Sequence, residues 1–367
     1  EVKNFNPEDF LDKKEARKMD LFCQFAVIAA DEAVVKAGLD KQLESLDLDR
    51  IGVIWGAGIG GLQSLEKEIE EFITGNGTPR YNPFMIPKMI IDIAAGMISI
   101  KYGFRGINYA TVSACASSSH AIINAFDYIR LGKNDIIVTG GSEAAVMKAG
   151  VGGFNAMKAL STRNEDYSTA SRPFDAERDG FVLGEGAGSL VLEELEHAKR
   201  RGATIYAELV GGGATADAYH MTAPHPEGIS VSKVMQLALE DAKMKPEDID
   251  YINVHGTSTE LGDVAELKAI QKVFGDHAYK LNISSSKSMT GHLLGAAGAI
   301  EAIACILAIN HSFAPPTINH FTDDPEIDSK LNLTFNRAQQ RPIRAAMSNT
   351  FGFGGHNSTL ILKKFEN

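Results

Sequence analysis

Short β-branched apolar runs alternate along the chain with longer segments that are rich in alanine and leucine. The short runs predict strands bounded by glycine or polar turns, and they lie at 50–58, 107–114, 135–141, 188–195, 203–213, 251–256, 281–287 and 358–364. The longer segments predict helices, and they lie at 22–38, 118–133, 230–244 and 265–274. This alternation is typical of an α/β protein whose mixed or parallel sheets are covered by helices.

The most apolar segment is LLGAAGAIEAIACILAI at 293–309, which carries Glu301 near its middle. It is shorter than the roughly 20 apolar residues that a membrane-spanning helix needs. Its glycine and alanine content and its central carboxylate indicate a buried core helix, and we expect no membrane insertion.

Residues 107–141 and 281–317 share an order of features. Each has a predicted strand, a small-residue turn with a reactive side chain, and then a helix rich in small and apolar residues. The turn holds Cys115 in the first segment, and Lys287 and His292 in the second. Two related halves joined near Arg201 would explain the similarity, although many α/β chains contain such units.

Composition limits the function classes. The chain has 367 residues, 44% of them hydrophobic, which is enough for one or two domains. A formal net charge of −11 argues against general binding to nucleic acid or to anionic membranes. Three widely spaced cysteines, Cys23, Cys115 and Cys305, form no C-x-x-C pair. They indicate a reducing, cytoplasmic setting.

The segment TVSACASSSHAI at 111–122 places Cys115 between a predicted strand and a predicted helix. Free N–H groups and the positive end of a helix at such a turn stabilise a thiolate. Small neighbours, Ala114, Ala116, Ser117 and Ser118, leave room for a substrate. A buried structural cysteine would fit the same pattern.

Two histidines lie in similar turns downstream, His255 in VHGTSTELGD and His292 in SSSKSMTGHLLGAAGAIE. A single loop histidine is usually structural. Two of them, each just beyond a strand and next to glycine, favour an acyl-transfer site with a thiolate and imidazole partners. The segment SNTFGFGGHN at 348–357 predicts a glycine-rich loop that donates an N–H to an oxyanion or swings aside for substrate.

Taken together, these segments resemble the β-ketoacyl-[acyl carrier protein] synthases, most closely the type II elongation enzymes of bacterial fatty acid synthesis. The likeness covers essentially the whole chain, with its motifs in the family's order. They are SACAS, GVGGFNAMKALSTRN, SRPFDAERDGFVLGEGAG, AELVGGGATADAYHMTAP, VHGTSTELGD, KSMTGHLLGAAGAIE and FGFGGHNSTLILKK.

The resemblance implies an α/β thiolase-like fold with duplicated halves in a five-layer αβαβα arrangement. The N-terminal half would span 1–202 and carry the nucleophile, and the C-terminal half would span 203–367 and carry the two histidines. Relatives usually begin with a strand and helix that carry a VVVTG-like motif, which is absent here. We therefore expect a sequence truncated at its N-terminus.

The resemblance also implies the reaction, a decarboxylative condensation of acyl- and malonyl-[acyl carrier protein] in fatty acid elongation. Cys115 would take the acyl chain, and His255 and His292 would stabilise the enolate left by decarboxylation. Lys287 and Glu301 would form an ion pair beneath the site, with Asp263 in the same polar network. The N–H groups of Cys115 and Phe353 would form the oxyanion hole.

Other matching positions imply substrate contacts. Thr257 and Thr259 would bind the pantetheine arm. The apolar acyl-pocket positions, for which ordinary core packing is the alternative, are Ile59, Phe154, Phe351 and Phe353. No metal or resident cofactor is implied, since phosphopantetheine arrives on the carrier protein.

A basic cluster, KKEARK at 13–18, stands out in the acidic chain. On a helix it would place Lys14, Arg17 and Lys18 on one face. A solvated charged face is the default interpretation, but these residues and Lys158 match positions at which relatives dock the acidic carrier protein. The resemblance further implies a homodimer.

Other classes fit less well. A type I synthase or a polyketide ketosynthase shares the Cys-His-His set, but Ile59 is typical of type II. A non-catalytic ketosynthase-like partner subunit would not need Cys115 and both histidines. Thiolases use a second cysteine near the C-terminus, where this chain has GFGGHN.

Overall fold

The structure is a computed structural model that describes residues 1–366; Asn367, the last residue of the predicted C-terminal half, lies outside the described residues. The strands are β1 Ile51–Gly56, β2 Asn108–Thr111, β3 Ile136–Glu143, β4 Gly186–Glu193, β5 Glu208–Ala216, β6 Tyr251–Asn253, β7 Asn282–Ser284, β8 Phe313–Ala314, β9 Gln339–Gln340, β10 Ala345–Gly352 and β11 His356–Lys363.

Helices separate most of these strands. They are α1 Lys13–Ala16, α2 Leu21–Lys36, α3 Leu62–Thr74, α4 Met85–Met89, α5 Ile93–Tyr102, α6 Ser117–Arg130, α7 Lys148–Ala156, α8 Leu195–Arg200, α9 Ile229–Ala242, α10 Glu260–Phe274, α11 Lys287–Thr290 and α12 Ala297–His311. Two short 3-10 turns matter for the site because they lead into α6 and α12, namely Ala114–Ala116 and Leu294–Ala296.

The strands form two larger mixed sheets and one small hairpin. The first sheet has the order β2-β1-β3-β4, with β2, β1 and β3 parallel and β4 antiparallel to β3. The second has the order β5-β11-β10-β6-β7, in which β10, β6 and β7 are parallel. Strands β8 and β9 pair separately.

Helices cover both faces of each sheet. Helices α2 and α5 pack on the outer face of the first sheet, and α9 on the outer face of the second. Helices α6 and α12 lie between the sheets and contact each other and both sheets. The order of layers is therefore helix, sheet, helix, sheet, helix, and the predicted α/β thiolase-like class is confirmed.

The two central helices approach each other very closely. A Cβ atom on Gly298 of α12 would collide with the side-chain oxygen of Ser119 of α6. Leu294–His311 is long and apolar enough to cross a membrane by length and composition, but 61% of it is buried. As predicted, this segment packs in the core.

The prediction of a loop at 348–357 is wrong for seven of its ten residues, five of which lie in β10 and two in β11. Ser348–Gly352 belong to β10, which lies between β11 and β6, and only Phe353–Gly355 form the turn to β11. The strand is central and buried on both faces, so its sequence lacks the polar alternation of a half-exposed strand.

The strand predicted at 203–213 is displaced toward the C-terminus. β5 runs from Glu208 to Ala216, so the glycines at 211–213 lie inside the strand. Gly211 and Gly213 are needed there because α9 packs directly on them, whereas Gly212 faces Ile123 of α6. A Cβ on Gly213 would collide with the backbone oxygen of Val234.

Candidate active site

Cys115 lies in the 3-10 turn between β2 and α6, as the sequence predicted. Ala114 before it has φ +50°, a left-handed conformation that is uncommon for a residue with a side chain. The turn is fixed locally, because the hydroxyl of Ser117 accepts the N–H of Ser113 at 3.0 Å and donates to the carbonyl of Ala114 at 2.7 Å. The sulfur is therefore presented by a constrained backbone.

Both predicted histidines reach this sulfur from the other half of the chain. The Nε2 atom of His292 lies 3.0 Å from the Sγ atom of Cys115. The rings of His255 and His292 are 5.2 Å apart and cross at 88°. One donor atom from each of the three residues lies within 4.8 Å of the others. Such a set has the chemistry to hold a thiophilic metal ion, but it is equally the set that a thiol acyl-transfer site requires.

Cys115 is a protonated thiol, whereas the sequence predicted a stabilised thiolate. Burial raises the pKa of the Cys115 thiol to about 12, while the ammonium of Lys287 and the backbone of Phe353 act in the opposite direction. The expected stabilisation of a thiolate by the helix end is therefore outweighed by desolvation. Burial, together with Lys287, holds the pKa values of His255 and His292 well below their usual range. Both imidazoles are neutral at physiological pH.

Lys287 and Glu301 form the predicted ion pair, with side chains 2% and 0% exposed. Burial raises the pKa of the Glu301 carboxyl, and Lys287 opposes that shift. Lys287 begins α11 and Glu301 lies in α12, so the pair joins two elements on either side of His292.

Two buried carboxylates that sequence reasoning missed hold the backbone of the site. Glu266 accepts the N–H groups of His255 at 3.0 Å and Gly256 at 2.9 Å, and burial raises its pKa to about 7. Its position in α10 was visible, but the helix pattern gave it no role. Its carboxylate fixes the turn from which the imidazole of His255 projects.

Glu143 at the end of β3 is the second missed carboxylate. It accepts N–H groups from two separate segments, Gly58–Gly60 and Gly295, at 2.8 to 3.1 Å. It thereby ties the loop that carries Ile59 to the turn that starts α12. From the sequence alone, a carboxylate at the end of a strand is interpreted as part of a solvent-exposed turn, because the loop at Gly58–Gly60 that it binds is distant in the chain.

The predicted acyl-pocket residues surround the nucleophile. Ile59 and Phe154 pack against the buried cluster that contains Cys115 and Phe181. The ring of Phe154 also lies 6.4 Å from that of Phe353. Phe181, which the sequence did not single out, contacts Phe154 at 5.5 Å and makes an edge contact with the ring of His292 at 5.3 Å.

The turn after β10 closes against the nucleophile. A Cβ on Gly352 would lie 2.8 Å from the carbonyl oxygen of Ser113 and 3.0 Å from the nitrogen of Cys115. The backbone of Phe353 is therefore held beside the sulfur. Phe351, the other predicted aromatic residue here, lies 5.6 Å from the ring of His255.

The two predicted pantetheine-binding threonines lie two residues apart, just beyond His255. The hydroxyls of Thr257 and Thr259 are 3.1 Å apart. Asp263 accepts the N–H of Ser258 at 3.2 Å, and burial raises its pKa to about 6. Asp263 thus supports the threonine segment, whereas Lys287 and Glu301 support the histidines.

The basic cluster departs from its predicted geometry. Helix α1 ends at Ala16, so Arg17 and Lys18 lie beyond it and do not extend a three-residue helical face. Lys18 pairs with Glu15 at 2.6 Å. Lys14, Arg17 and Lys158 are exposed. The short helix is ended by the chain turning into α2, whose N-cap is Asp20.

Two segments of the chain match known protein families. Residues 1–198 match the Beta-ketoacyl synthase, N-terminal domain, and residues 206–321 match the Beta-ketoacyl synthase, C-terminal domain. The 3-oxoacyl-[acyl-carrier-protein] synthase 2 of Staphylococcus aureus (strain COL) is 52% identical over 366 residues, covering 100% of this chain and 87% of that protein.

Solved structures agree. A beta-ketoacyl synthase from Burkholderia phymatum STM815 superposes with a TM-score of 0.89 at 38% identity, covering 100% of this chain and 87% of that chain. A second match is a chain from the structure of a type II polyketide acyl-carrier protein in complex with its ketosynthase. It superposes with a TM-score of 0.87 at 37% identity, covering 94% of this chain and 85% of that chain.

The fold and the thiol–imidazole site define a thiolase-like condensing enzyme of the acyltransferase class. The chain belongs to the β-ketoacyl synthase family.

Proposed function

We propose that this chain catalyses the decarboxylative Claisen condensation of acyl-[acyl carrier protein] with malonyl-[acyl carrier protein] in fatty acid elongation. The products are 3-oxoacyl-[acyl carrier protein], CO2 and free carrier protein. The observation that carries the proposal is the 3.0 Å approach of the His292 Nε2 atom to the Cys115 sulfur, with the His255 ring alongside. Similarity over the whole chain to a 3-oxoacyl-[acyl-carrier-protein] synthase 2 supports elongation.

In the first half-reaction, the sulfur of Cys115 attacks the thioester carbonyl of the acyl donor. Because burial keeps Cys115 as a thiol at rest, its proton must move as the new C–S bond forms. The neutral imidazole of His292 lies within reach to take that proton. The thioester bond of the donor breaks, and the departing pantetheine thiolate receives the proton. The acyl chain then lies against Ile59 and Phe154.

In the second half-reaction, malonyl-[acyl carrier protein] loses CO2 and its thioester becomes an enolate. Hydrogen bonds from the neutral rings of His255 and His292 stabilise the enolate oxygen, for which His292 takes the tautomer that carries its proton on Nε2. The enolate carbon attacks the acyl-cysteine. The N–H groups of Cys115 and Phe353 stabilise the oxyanion of that step, after which the C–S bond breaks and the Cys115 thiolate is reprotonated from solvent.

Lys287 and Glu301 keep the charge beneath the histidines fixed. The Lys287 ammonium disfavours protonation of both imidazoles, which preserves them as the neutral groups that the enolate step uses. Glu301 in turn compensates the buried ammonium. No resident cofactor or metal takes part in these steps, since the phosphopantetheine arm enters with the carrier protein.

The partners of the proposed reaction are an acyl carrier protein and a second copy of this chain in a homodimer. A solved relative of similar structure is a ketosynthase in complex with its acyl-carrier protein. Exposed Lys14, Arg17 and Lys158, together with Lys18 next to Arg17, would attract that acidic protein. The division into halves at 1–202 and 203–367 agrees with the two sheets, whose strands lie on either side of it.

The test is an assay with octanoyl- and malonyl-[acyl carrier protein], in which 3-oxodecanoyl product and released CO2 are both measured. Cys115→Ser should stop condensation, because a hydroxyl is a far weaker nucleophile toward a thioester than a thiol, even with His292 beside it. His255→Ala and His292→Ala should each lower decarboxylation by about 10²–10³-fold, as loss of one oxyanion donor does elsewhere. Absence of a 3-oxoacyl product with the unmodified chain would refute the proposal.

A further inference from the structure

We propose that Arg178 is a positioning residue that holds the segment Thr257–Thr259 in the conformation that receives the phosphopantetheine arm. The inference rests on the proposed function, since it concerns the arm that delivers the substrates. Arg178 lies outside the sulfur–imidazole cluster, in the ERDG turn that precedes β4.

Arg178 is buried, with its side chain 3% exposed. Its guanidinium donates hydrogen bonds to the backbone at the end of the threonine segment. Its Nε atom donates to the carbonyl oxygen of Thr259 at 3.1 Å, and its Nη2 atom donates to that of Glu260 at 2.7 Å. Both carbonyls lie where the loop becomes α10. A planar fork with several N–H groups suits two adjacent carbonyls, which a lysine ammonium cannot hold in the same way.

The other face of the guanidinium is fixed to a separate part of the chain. Its Nη1 atom donates to the carbonyl of Asp175 at 2.8 Å and to the carboxylate of Asp324 at 2.6 Å. Asp175 in turn accepts the N–H groups of Phe321 and Thr322. Arg178 thus joins the threonine segment to the 319–324 segment.

The segment needs this support because Ser258 has φ +71°, a left-handed conformation that L residues disfavour. Its neighbours fix every polar group of that residue. The N–H of Ser258 donates to Asp263 at 3.2 Å, its carbonyl accepts from Gly180 at 3.0 Å, and its hydroxyl accepts the N–H of Arg172 at 3.1 Å. Such a conformation persists only where its surroundings over-determine it.

The consequence of this conformation is the placement of two hydroxyls. The side chains of Thr257 and Thr259 converge, with their oxygens 3.1 Å apart. His255, two residues earlier, is held independently, because its N–H donates to Glu266. Loosening Arg178 should therefore disturb the arm-binding hydroxyls more than the imidazole of His255.

The experiment compares two octanoyl donors in the acylation of Cys115, measured by intact mass. One is octanoyl-phosphopantetheine, which carries the amides of the arm, and the other is S-ethyl octanethioate, which has none. For Arg178→Lys we expect KM for the pantetheine donor to rise at least tenfold with kcat changed less than threefold. Acylation by the ethyl thioester should change less than twofold. Equal losses with both donors would overturn the proposal.

A double-mutant cycle tests whether Arg178 acts through the threonines. In a Thr257→Val/Thr259→Val background, Arg178→Lys should add less than a threefold further loss with the pantetheine donor, because coupled residues are not additive. A full, independent tenfold loss in that background would show that Arg178 does not act through these hydroxyls.

Arg201→Lys is the matched control. Arg201 is also largely shielded from solvent, with its side chain 10% exposed, and it lies far from the threonine segment in sequence. It pairs with Glu193 through two nitrogens and donates to the carbonyl of Ala37 at 2.8 Å. This variant should leave the ratio of the acylation rates with the two donors unchanged. If that ratio shifted as it does in Arg178→Lys, the effect would be a general one of replacing an arginine, and the proposal would be overturned.

If Arg178→Lys does not fold, Asp324→Asn weakens the same anchorage while leaving the arginine in place. It should raise KM for the pantetheine donor about threefold and spare the ethyl thioester, and an unchanged KM would contradict the inference. If the unmodified chain condenses normally but the variants fail these tests, only the proposed role of Arg178 is refuted. If the unmodified chain makes no 3-oxoacyl product, the proposed function itself is refuted.

Discussion

Lys287 donates a hydrogen bond to Glu301 although the two residues lie on different helices, and neither side chain has appreciable contact with solvent. A buried charge whose partner is removed remains desolvated and uncompensated, which typically costs about 3–5 kcal/mol, whereas removing both charges costs much less. The pair is therefore a unit whose members depend on each other.

Lys287→Met and Glu301→Gln should each lower the free energy of unfolding by about 3–5 kcal/mol. The double variant should lose less than the sum of the two single losses, because no lone charge remains. Urea unfolding of the four proteins measures the coupling. Strictly additive losses would contradict the interpretation of a mutually compensating pair.

The pH dependence of Cys115 alkylation tests its protonation state. Its pKa is raised to about 12 by burial, so the thiolate fraction should rise about tenfold per pH unit throughout neutral and mildly alkaline pH. Alkylation by iodoacetamide should follow that slope from pH 6 to 9, with Cys115→Ser as the blank. A plateau below pH 8 would indicate a thiolate that is already formed in the resting enzyme.

Ile59→Phe tests the acyl pocket. Ile59 packs in the cluster that contains Cys115, and added volume in a close-packed site typically costs about 1–3 kcal/mol. Since about 1.4 kcal/mol is tenfold in rate, transfer from long acyl donors should fall roughly ten- to a hundredfold. Short donors should be spared because they do not reach the floor of the pocket.

The comparison for this variant uses acetyl- and dodecanoyl-[acyl carrier protein], with thermal unfolding recorded separately. Ile100→Phe is a control at a side chain that is 75% exposed. Equal losses with both donors would mean that Ile59 is ordinary core.

Gly352→Ala tests the contact between the last hairpin and the nucleophile turn. Its Cβ would lie 2.8 Å from the carbonyl oxygen of Ser113, so the hairpin turn and the nucleophile turn must separate, which disturbs the placement of the Phe353 backbone beside the sulfur. We expect condensation to fall by more than about tenfold, as for other oxyanion donors.

Gly96→Ala is the matched control for the hairpin variant, since a Cβ there meets nothing within 4 Å in helix α5. That substitution should preserve activity and raise stability by about 0.4–1 kcal/mol. Normal condensation by Gly352→Ala would remove the Phe353 N–H from the proposed oxyanion hole.

The sequence was sufficient for features that depend on local pattern. Cys115 was found because small residues follow a β-branched run, and the core helix because Glu301 interrupts an apolar segment. Strand β10 was missed for a physical reason. Ser348, Asn349 and Thr350 are polar but buried, and the amide of Asn349 finds its partner Glu266 in the distant helix α10.

Contacts between distant segments were also beyond sequence reasoning. Glu143 acquires its role only when the loop at Gly58 and the turn at Gly295 meet its carboxylate. The raised pKa of Cys115 has the same origin, because the local turn predicts stabilisation of a thiolate while the surrounding halves remove the solvent.

The collision that a Cβ on Gly298 would make with Ser119 has a consequence for how such a protein can change over generations. Helix α6 carries the nucleophile's turn and α12 carries Glu301, so a larger side chain on one helix can be accommodated only if the other helix changes with it. The halves must therefore accumulate substitutions jointly along this seam. Substitutions near the nucleophile and near its supporting charge should therefore be coupled in evolution, although the two lie far apart in the chain.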